Sequence, residues 1–219
     1  MELLPLVLLG GLLAVDATSL GQFMISRPLV AGVLTGWMVG DPVLGLLIGG
    51  ILEVYFISIF PVGGAEFPEG GPPTLVAVAT GVAVSGPAGV AIGTLLGFLL
   101  SRLGAFSIRA LRNLNGRLAP DPSRKEVTRA RIIWAHLGGL CLDFFRGALL
   151  SLVGLMGGSF LANTASDAWP LEMTGTLTLL AVGASIPAGA LVGSLGGWRR
   201  RGVLLGAGLA GFLLAGLIL

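Results

Sequence analysis

Long apolar stretches alternate along this chain with short polar or glycine- and proline-rich breaks. Continuous apolar runs cover about 42–60, 74–101, 132–162, 173–196 and 202–219. One helix needs about 20 mainly apolar residues to cross a bilayer. The strands of a β-barrel would alternate between lipid-facing and lumen-facing residues, and these runs do not alternate. The pattern therefore predicts an all-α polytopic membrane protein with about six to eight membrane segments in a single transmembrane domain, residues 1–219.

The breaks between the apolar runs predict a helical hairpin near the start of the chain. The stretch 28–40 is too short for an ordinary crossing, and a Gly40-Asp41-Pro42 turn joins it to the next run. We therefore read 28–60 as a hairpin with one re-entrant or broken arm. Glycine recurs every fourth residue on both arms, which makes a smooth face for close packing on each. A second break, Ser85-Gly86-Pro87, splits the long run 74–101.

Composition excludes several classes of protein. Charged residues make up only 11% of the chain and the mean hydropathy is +0.95, whereas a soluble domain carries about 25% charged residues. His136 and Cys141 are the only residues of their types, so no metal cluster, disulfide or nucleophile–histidine pair on neighbouring spans is expected. We predict a transporter, not an enzyme, with no catalytic residue, bound metal or cofactor.

The basic residues cluster in two places. The segment 102–131 holds eight Lys and Arg residues against two acidic ones, a net charge of +6, and Arg199-Arg200-Arg201 forms the second cluster. Both clusters are predicted to be cytoplasmic, because Lys and Arg are enriched in cytoplasmic loops. The out-and-back pair 132–162 and 173–196 between them agrees with this topology. Membrane orientation explains the basic charge, so no nucleic-acid partner is expected.

The basic cytoplasmic loop 102–131 also carries two helix signals. Its apolar residues recur near helical spacing, which predicts a helix in the membrane interface with arginines near lipid phosphates. Ser123 followed by Glu126 is typical of a capping box and predicts that the next helix begins near residue 124.

Polar residues in the first third of the chain predict a functional interior. Five of the eleven acidic residues lie between 16 and 73, within apolar surroundings. An ionised group at bilayer depth is costly unless it faces a cavity or a partner. The glycine- and proline-rich peptide 60–73 cannot form a regular helix, and irregular backbone survives at membrane depth only beside a cavity. We predict that 16–73 handles the substrate; an exposed external loop at 60–73 remains the alternative.

The residue types in this segment indicate what ligand it would hold. Carboxylates accept hydrogen bonds from hydroxyls, hydroxyl and amide side chains offer donors and acceptors, and Trp37 and Tyr55 offer apolar faces for a sugar ring. This set favours a neutral polyhydroxylated solute over an anion, although the same acids would also suit protons or cations. The predicted substrate-binding residues are Asp16, Ser19, Gln22, Glu53, Gly63, Gly64, Ala65 and Glu66.

Four further charged residues are predicted to have structural or coupling roles: Arg27, Asp41, Asp143 and Arg146. Asp143 and Arg146 are three residues apart, so on a helix they share one face and can neutralise each other. Both a structural or subunit-contact ion pair and a direct part in transport remain open for this pair.

The order of residues in the first third resembles a known family of sugar permeases. The shared pattern is Asp16, Ser19, Arg27-Pro28, Gly32, Thr35-Gly36, Gly40-Asp41, Gly45, Gly49, Glu53, Pro61, Gly63-Gly64-Ala65 and Pro68. It resembles the membrane subunit IIC of the mannose/fructose/sorbose family of the bacterial phosphotransferase system. The resemblance spans about 50 residues, and the rest of the chain agrees in length, hydropathy and the basic central loop.

The resemblance implies a multi-pass permease of the bacterial plasma membrane that moves a hexose or similar sugar. It also implies a IID membrane subunit, cytoplasmic IIA and IIB components that carry the phosphoryl group, and a homo-oligomer, a trimer. Asp16, Glu53 and the Gly63-Gly64-Ala65 turn would lie around the sugar path. Glu66 departs from the glutamine expected there. The alternative function is a small-solute or vitamin carrier subunit that is not coupled to sugar phosphorylation.

Overall fold

A computed structural model describes residues 2–58, 67–120, 123, 127–165, 169–194 and 202. Within these ranges the chain is helical and contains no strand, which confirms the all-α prediction. The seven helices are α1 (Leu3–Thr18), α2 (Pro28–Val39), α3 (Pro42–Phe56), α4 (Gly71–Val84), α5 (Gly86–Leu118), α6 (Arg129–Ala165) and α7 (Met173–Ser194). The predicted last span, 202–219, lies outside the described residues except for Gly202, as does Arg199-Arg200-Arg201.

The helices fall into two length classes. In the described ranges, α5, α6 and α7 are long and apolar enough to cross a membrane, whereas α1 to α4 are shorter apolar helices. With 12 residues, α2 is only about 18 Å long against a hydrocarbon core of about 30 Å. Helices α1 to α4 are thus all shorter than the hydrocarbon core, and α2 is short as the length of 28–40 predicts.

Helices α2 and α3 form the predicted hairpin. Gly40 ends α2 in the left-handed conformation (φ 91°), and the Asp41 carboxylate accepts a 2.8 Å hydrogen bond from the Leu44 amide to cap α3. The two glycine series pack against each other: a Cβ at position 45 would lie 2.3 Å from the Gly32 carbonyl oxygen. Only glycine permits such close backbone contact.

Helices α4 and α5 form a second glycine-packed hairpin. Ser85 (φ 64°) separates them, as the Ser85-Gly86-Pro87 break predicts. A Cβ at position 89 would lie 2.3 Å from the Gly81 carbonyl oxygen. Helix α5 then continues without interruption to Leu118. Residues 102–118 of the predicted basic loop are therefore a helical extension of the span rather than a separate loop or interfacial helix.

Helix α6 is antiparallel to α1 and packs against α1 and the second hairpin, which in turn contacts the first hairpin through α4. Glycines at 10 and 147 bring α1 and α6 together, since a Cβ at 147 would lie 2.2 Å from the Ala14 Cβ. Leu155 of α6 belongs to a buried cluster with residues of α1, α2, α4 and α5. Helix α6 begins at Arg129, with the Thr128 hydroxyl accepting a bond from the Arg131 amide, later than the start predicted near 124.

Candidate functional site

A cavity of about 600 Å³ lies where the C-terminal end of α1 faces the basic part of α5. This volume is within the range of small-molecule binding pockets. Its lining combines polar and apolar side chains, both from the end of α1 and the loop after it and from α5. The lining residues are Asp16, Ala17, Thr18, Ser19, Gln22, Met24, Ser26, Arg27, Phe67, Ile108, Leu111, Arg112 and Asn115. Three predicted binding residues, Asp16, Ser19 and Gln22, therefore share one cavity, together with Arg27.

Asp16 organises the loop that follows α1. Its side chain is buried, and its two oxygens accept bonds from the backbone amides of Phe23 (2.7 Å) and Ser26 (2.9 Å). The same loop holds Gln22 and Met24 at positive φ, a conformation that costs energy for residues with a Cβ. The carboxylate thus shapes one wall of the cavity through the backbone, a role that the residue pattern did not indicate.

Thr18 and Ser19 contribute hydroxyls to the cavity and are held from behind by α6. Both hydroxyls donate to Oδ2 of Asp143, a residue with no exposed surface. Asp143 is therefore not a free intramembrane charge, because it receives hydrogen bonds from the end of α1 as well as its own ion pair.

Arg146 is the centre of a buried charge network. Its Nη1 and Nη2 bind the two oxygens of Glu69 at 2.8 and 2.7 Å, and its Nε and Nη2 bind Asp143 Oδ1 at 3.0 and 2.9 Å. Nη1 also donates to Ser107 Oγ at 2.8 Å, so all five guanidinium hydrogens are used. The predicted Asp143–Arg146 ion pair is present, and it is part of a larger network.

Glu69 is the charged member of this network that was not among the predicted functional residues. Its side chain is fully buried, and its amide donates to the Ser101 carbonyl oxygen at 3.1 Å. A Cβ at position 104 would lie 2.4 Å from Glu69 Oε2, so Gly104 leaves the room that the carboxylate occupies. The available signal for a functional role was that Glu69 is an acidic residue among prolines and glycines, between two apolar runs. That signal did not identify Arg146 as its partner.

Glu53 and Arg27 form an ion pair beside the cavity. Arg27 Nε lies 3.1 Å from Glu53 Oε1, with the side chains 48% and 22% exposed. Glu53 Oε2 also accepts a 3.3 Å bond from the Leu29 amide, at the N-terminal end of α2 where a negative charge is favourable. Among the described residues, Arg27 lines the cavity and Glu53 does not. Glu53 was predicted to line the binding site, but it contacts the cavity only through Arg27.

Asp41 lies away from the cavity. It caps α3 at the tip of the first hairpin, and the 12 residues of α2 separate it from Arg27 by about 18 Å. Trp37 is on the outer surface of the same hairpin and is 70% exposed. Tyr55 donates to the Leu180 carbonyl oxygen of α7, so neither predicted aromatic residue faces the cavity; Phe67 does.

The predicted turn Gly63-Gly64-Ala65 and its neighbour Glu66 lie outside the described residues. Phe67, the next described residue, has its ring centroid 5.8 Å from the Arg112 guanidinium carbon. Phe67 and Pro68 also line a smaller cavity of about 80 Å³ beside Arg27. The four residues therefore remain predictions of the residue pattern.

A second cavity of about 330 Å³ adjoins the first. The two share Thr18, Ser19 and Asn115, which form a polar partition between them. His136 of α6 lines the second cavity on its far side. Asn115 Oδ1 is buried and has no hydrogen-bond partner within the part of the chain that the structure describes. No group of three or more metal-ligating side chains occurs in those residues either.

Comparison with known proteins identifies a family. The family model for the sorbose-specific IIC component of the phosphotransferase system matches residues 1–193. The chain is 26% identical over 163 residues to the mannose-specific EIIC component of Escherichia coli K12, covering 73% of this chain and 60% of that protein. It is 23% identical to the sorbose-specific EIIC component of Lacticaseibacillus casei, covering 73% and 58%.

A solved structure shares the fold. The complex of the mannose transporter ManYZ with microcin E492 contains a chain that matches with a TM-score of 0.60 at 19% identity, over 99% of this chain and 92% of that chain. The likeness extends over all seven described helices. The chain spans about 60% of the length of the two curated relatives above.

Proposed function

Because this chain belongs to the family of sorbose-specific IIC components of the phosphotransferase system, we propose that it is the sugar-carrying membrane subunit of such a system. It is a multi-pass membrane protein, and we place it in a bacterial plasma membrane. The observation that carries the proposal is the 600 Å³ cavity, which brings Asp16, Ser19 and Gln22 together beside apolar side chains. The alternative of a carrier unrelated to sugar phosphorylation is not favoured by the family match.

The chemistry of the cavity supports a neutral polyhydroxylated ligand such as a hexose. Hydroxyls, amides and a carboxylate line it and can exchange hydrogen bonds with sugar hydroxyls, and the Phe67 ring offers an apolar face. Two guanidinium groups, Arg27 and Arg112, line the cavity, but Glu53 pairs with Arg27 and the Asp16 carboxylate is in the same lining, so the nearby charges balance and do not favour an anion. Mannose and sorbose are the first sugars to test, since they appear in the names of the relatives.

The position of the cavity supports release toward the cytoplasm. Arg112 and Asn115 of its wall lie on the basic end of α5, which the distribution of Lys and Arg assigns to the cytoplasmic side. In this arrangement the protein itself performs no phosphoryl transfer. Cytoplasmic IIA and IIB components would phosphorylate the sugar as it emerges, and a IID subunit would complete the membrane complex. The chain would form a homo-oligomer, which the family resemblance suggests is a trimer.

A matched pair of asparagine variants on α5 tests the assignment of the cavity. Asn115 lines it, whereas Asn113, two residues earlier, is exposed and does not. We expect Asn115→Ala to reduce phosphoenolpyruvate-dependent uptake of labelled mannose or sorbose by about tenfold, because one polar contact to a bound hydroxyl is lost. Asn113→Ala should leave uptake unchanged. The measurement is initial uptake rate in cells that co-express the partner subunits, at equal amounts of membrane-inserted protein.

Two outcomes contradict the proposal. If the wild-type chain with its partners takes up none of a panel of hexoses, the function is wrong. If uptake occurs but both asparagine variants behave alike, the sugar does not bind in this cavity.

A further inference from the structure

We propose that Asp143 is a positioning residue that makes the Thr18 and Ser19 hydroxyls act only as hydrogen-bond acceptors toward the cavity. The site would then recognise a sugar through the hydrogens of its hydroxyl groups. This inference rests on the proposed function and adds which feature of the sugar the site recognises. It explains why the buried network, which does not itself line the cavity, is built against the end of α1.

The first step is the division of labour between the two oxygens of Asp143. Oδ1 binds Arg146 through Nε and Nη2. Oδ2 receives the two hydroxyl bonds from Thr18 and Ser19. Each oxygen thus faces a different element, and the carboxylate links the centre of the network to the cavity wall.

The second step is the direction of the hydroxyl hydrogens. Arg146 also donates to both carboxylate oxygens of Glu69. The guanidinium therefore stabilises the ionised forms of both Glu69 and Asp143. An ionised carboxylate only accepts hydrogen bonds, and each hydroxyl has a single hydrogen. Two neutral acceptors compete: the Ala14 carbonyl oxygen lies 3.2 Å from Thr18 Oγ1, and the Thr18 and Ser19 hydroxyl oxygens lie 3.2 Å from each other, but a charged acceptor is preferred over a neutral one. Both hydrogens are therefore committed to Asp143.

The third step is what remains on the cavity side. With their hydrogens turned away, Thr18 and Ser19 offer only lone pairs to the two cavities they separate. Asn115 Oδ1 in the same partition is a third acceptor, buried and without a partner in the described residues. An unpaired buried acceptor is unfavourable, which marks a place for a donor from a ligand. Three acceptor oxygens in one partition suit a ligand with several O–H groups.

Fluorinated sugars provide the test. Fluorine is close in size to a hydroxyl and accepts hydrogen bonds weakly, but it cannot donate. For the hexose that the full-length wild-type protein binds, we expect at least one position where the fluoro and the deoxy analogues both bind about tenfold or more weakly than the parent. The measurement is the dissociation constant of each analogue for the purified protein in detergent. Fluoro analogues that bind within about twofold of the parent at every position would overturn the inference.

Variants separate positioning from simple structural support. In Asp143→Asn the amide can donate to one hydroxyl, so that its hydrogen can turn toward the cavity. We expect the fluoro analogue then to bind several-fold more tightly than the deoxy analogue at the same position, even as the parent sugar binds more weakly. Loss of support alone would weaken all three ligands by the same factor, and that result would overturn the inference.

A second variant covers the case in which Asp143→Asn does not fold. Thr18→Val removes one acceptor with little change in shape, and we expect it to reduce the discrimination between parent and deoxy sugar. The control is Thr178→Val on α7, whose hydroxyl donates to the Thr174 carbonyl oxygen of its own helix at 2.8 Å. Unchanged discrimination in Thr18→Val would overturn the inference. If the wild-type protein binds no hexose at all, that result would instead contradict the proposed function on which this inference rests.

Discussion

At the residue scale, the same side-chain type serves different purposes according to its neighbours. Asp16 binds two backbone amides of a loop, Asp41 caps a helix, and Asp143 links an arginine to two hydroxyls. All three are acids in apolar sequence surroundings, so hydropathy alone gave them equal weight. Their hydrogen-bond partners distinguish them, and these partners also predict different results for the same substitution.

Replacing Asp16 by Asn should destabilise the loop that forms the cavity wall. The amide group can accept from only one of the two backbone amides, and its own N–H₂ would face the other. Leaving one of these partly buried amides unpaired costs about 1 kcal/mol, the low end of the range for buried groups. We expect a lower unfolding temperature in detergent and reduced sugar uptake. The measurements are thermal unfolding and initial uptake rate.

Asp41→Asn is the matched control for that variant. Asparagine is as good as aspartate at the N-cap of a helix, so the bond from the Leu44 amide is retained. Unfolding temperature and uptake should stay near wild-type values. Equal losses in the two variants would contradict the role of Asp16 as the anchor of the loop.

At the element scale, close glycine packing explains how a short helix forms a stable hairpin, with another short helix in α2–α3 and with the long α5 in α4–α5. Both α2–α3 and α4–α5 have glycine opposite a backbone carbonyl of the partner helix, at distances no side chain permits. The spacing of glycines predicted smooth faces correctly. That the two series on 28–60 pack against each other, and not against other helices, follows only from the structure.

Two neighbouring glycines of α3 allow this packing to be tested directly. A Cβ at position 49 would lie 2.5 Å from the Pro28 carbonyl oxygen, whereas one at position 50 would have its nearest contact at 3.7 Å, with Leu29 Cδ1. We expect Gly49→Ala to destabilise the protein by about 1–3 kcal/mol through steric overlap. Gly50→Ala should be neutral or slightly stabilising, since alanine favours helix. Thermal unfolding of the purified variants measures the difference, and similar values for both would contradict the packing.

At the scale of the whole molecule, the buried network joins four parts of the chain that are far apart in sequence. Arg146 of α6 holds Glu69, 77 residues earlier, and Ser107 of α5, while Asp143 reaches the end of α1. The carboxylates and the guanidinium together carry a net charge of −1, and they lie level with the basic end of α5. The network and the cavity both contact the basic end of α5, so the side of the bilayer on which that end lies is also the side that the cavity faces.

Cysteine labelling tests that orientation. In a Cys141→Ser background, a cysteine at Gly116 on the basic end of α5 should react with a membrane-impermeant maleimide only after the cells are permeabilised. A cysteine at Asn163, at the opposite end of α6, should react in intact cells, because the excess of Lys and Arg places residues 102–131 in the cytoplasm. Both positions are exposed in the structure. The reverse labelling pattern would overturn the assigned topology and the cytoplasmic position of the cavity.

The sequence by itself determined the class of protein, the hairpin turns and the family. These follow from local features: apolar runs long enough for lipid, glycine and proline where the backbone must turn, and a residue order over about 50 positions. Local features also placed Asp16, Ser19 and Gln22 near one another, because they lie within seven residues of chain.

Only the tertiary structure decided how those residues work and which distant ones join them. Asn115 and Phe67 complete the cavity, Glu69 pairs with Arg146, and Glu53 lies behind Arg27. Periodicity indicates which face of a helix is apolar or small, but it does not indicate which helix will cover that face. Contacts between residues 39 to 125 positions apart depend on how the helices pack as a set, and no single stretch of sequence encodes that arrangement.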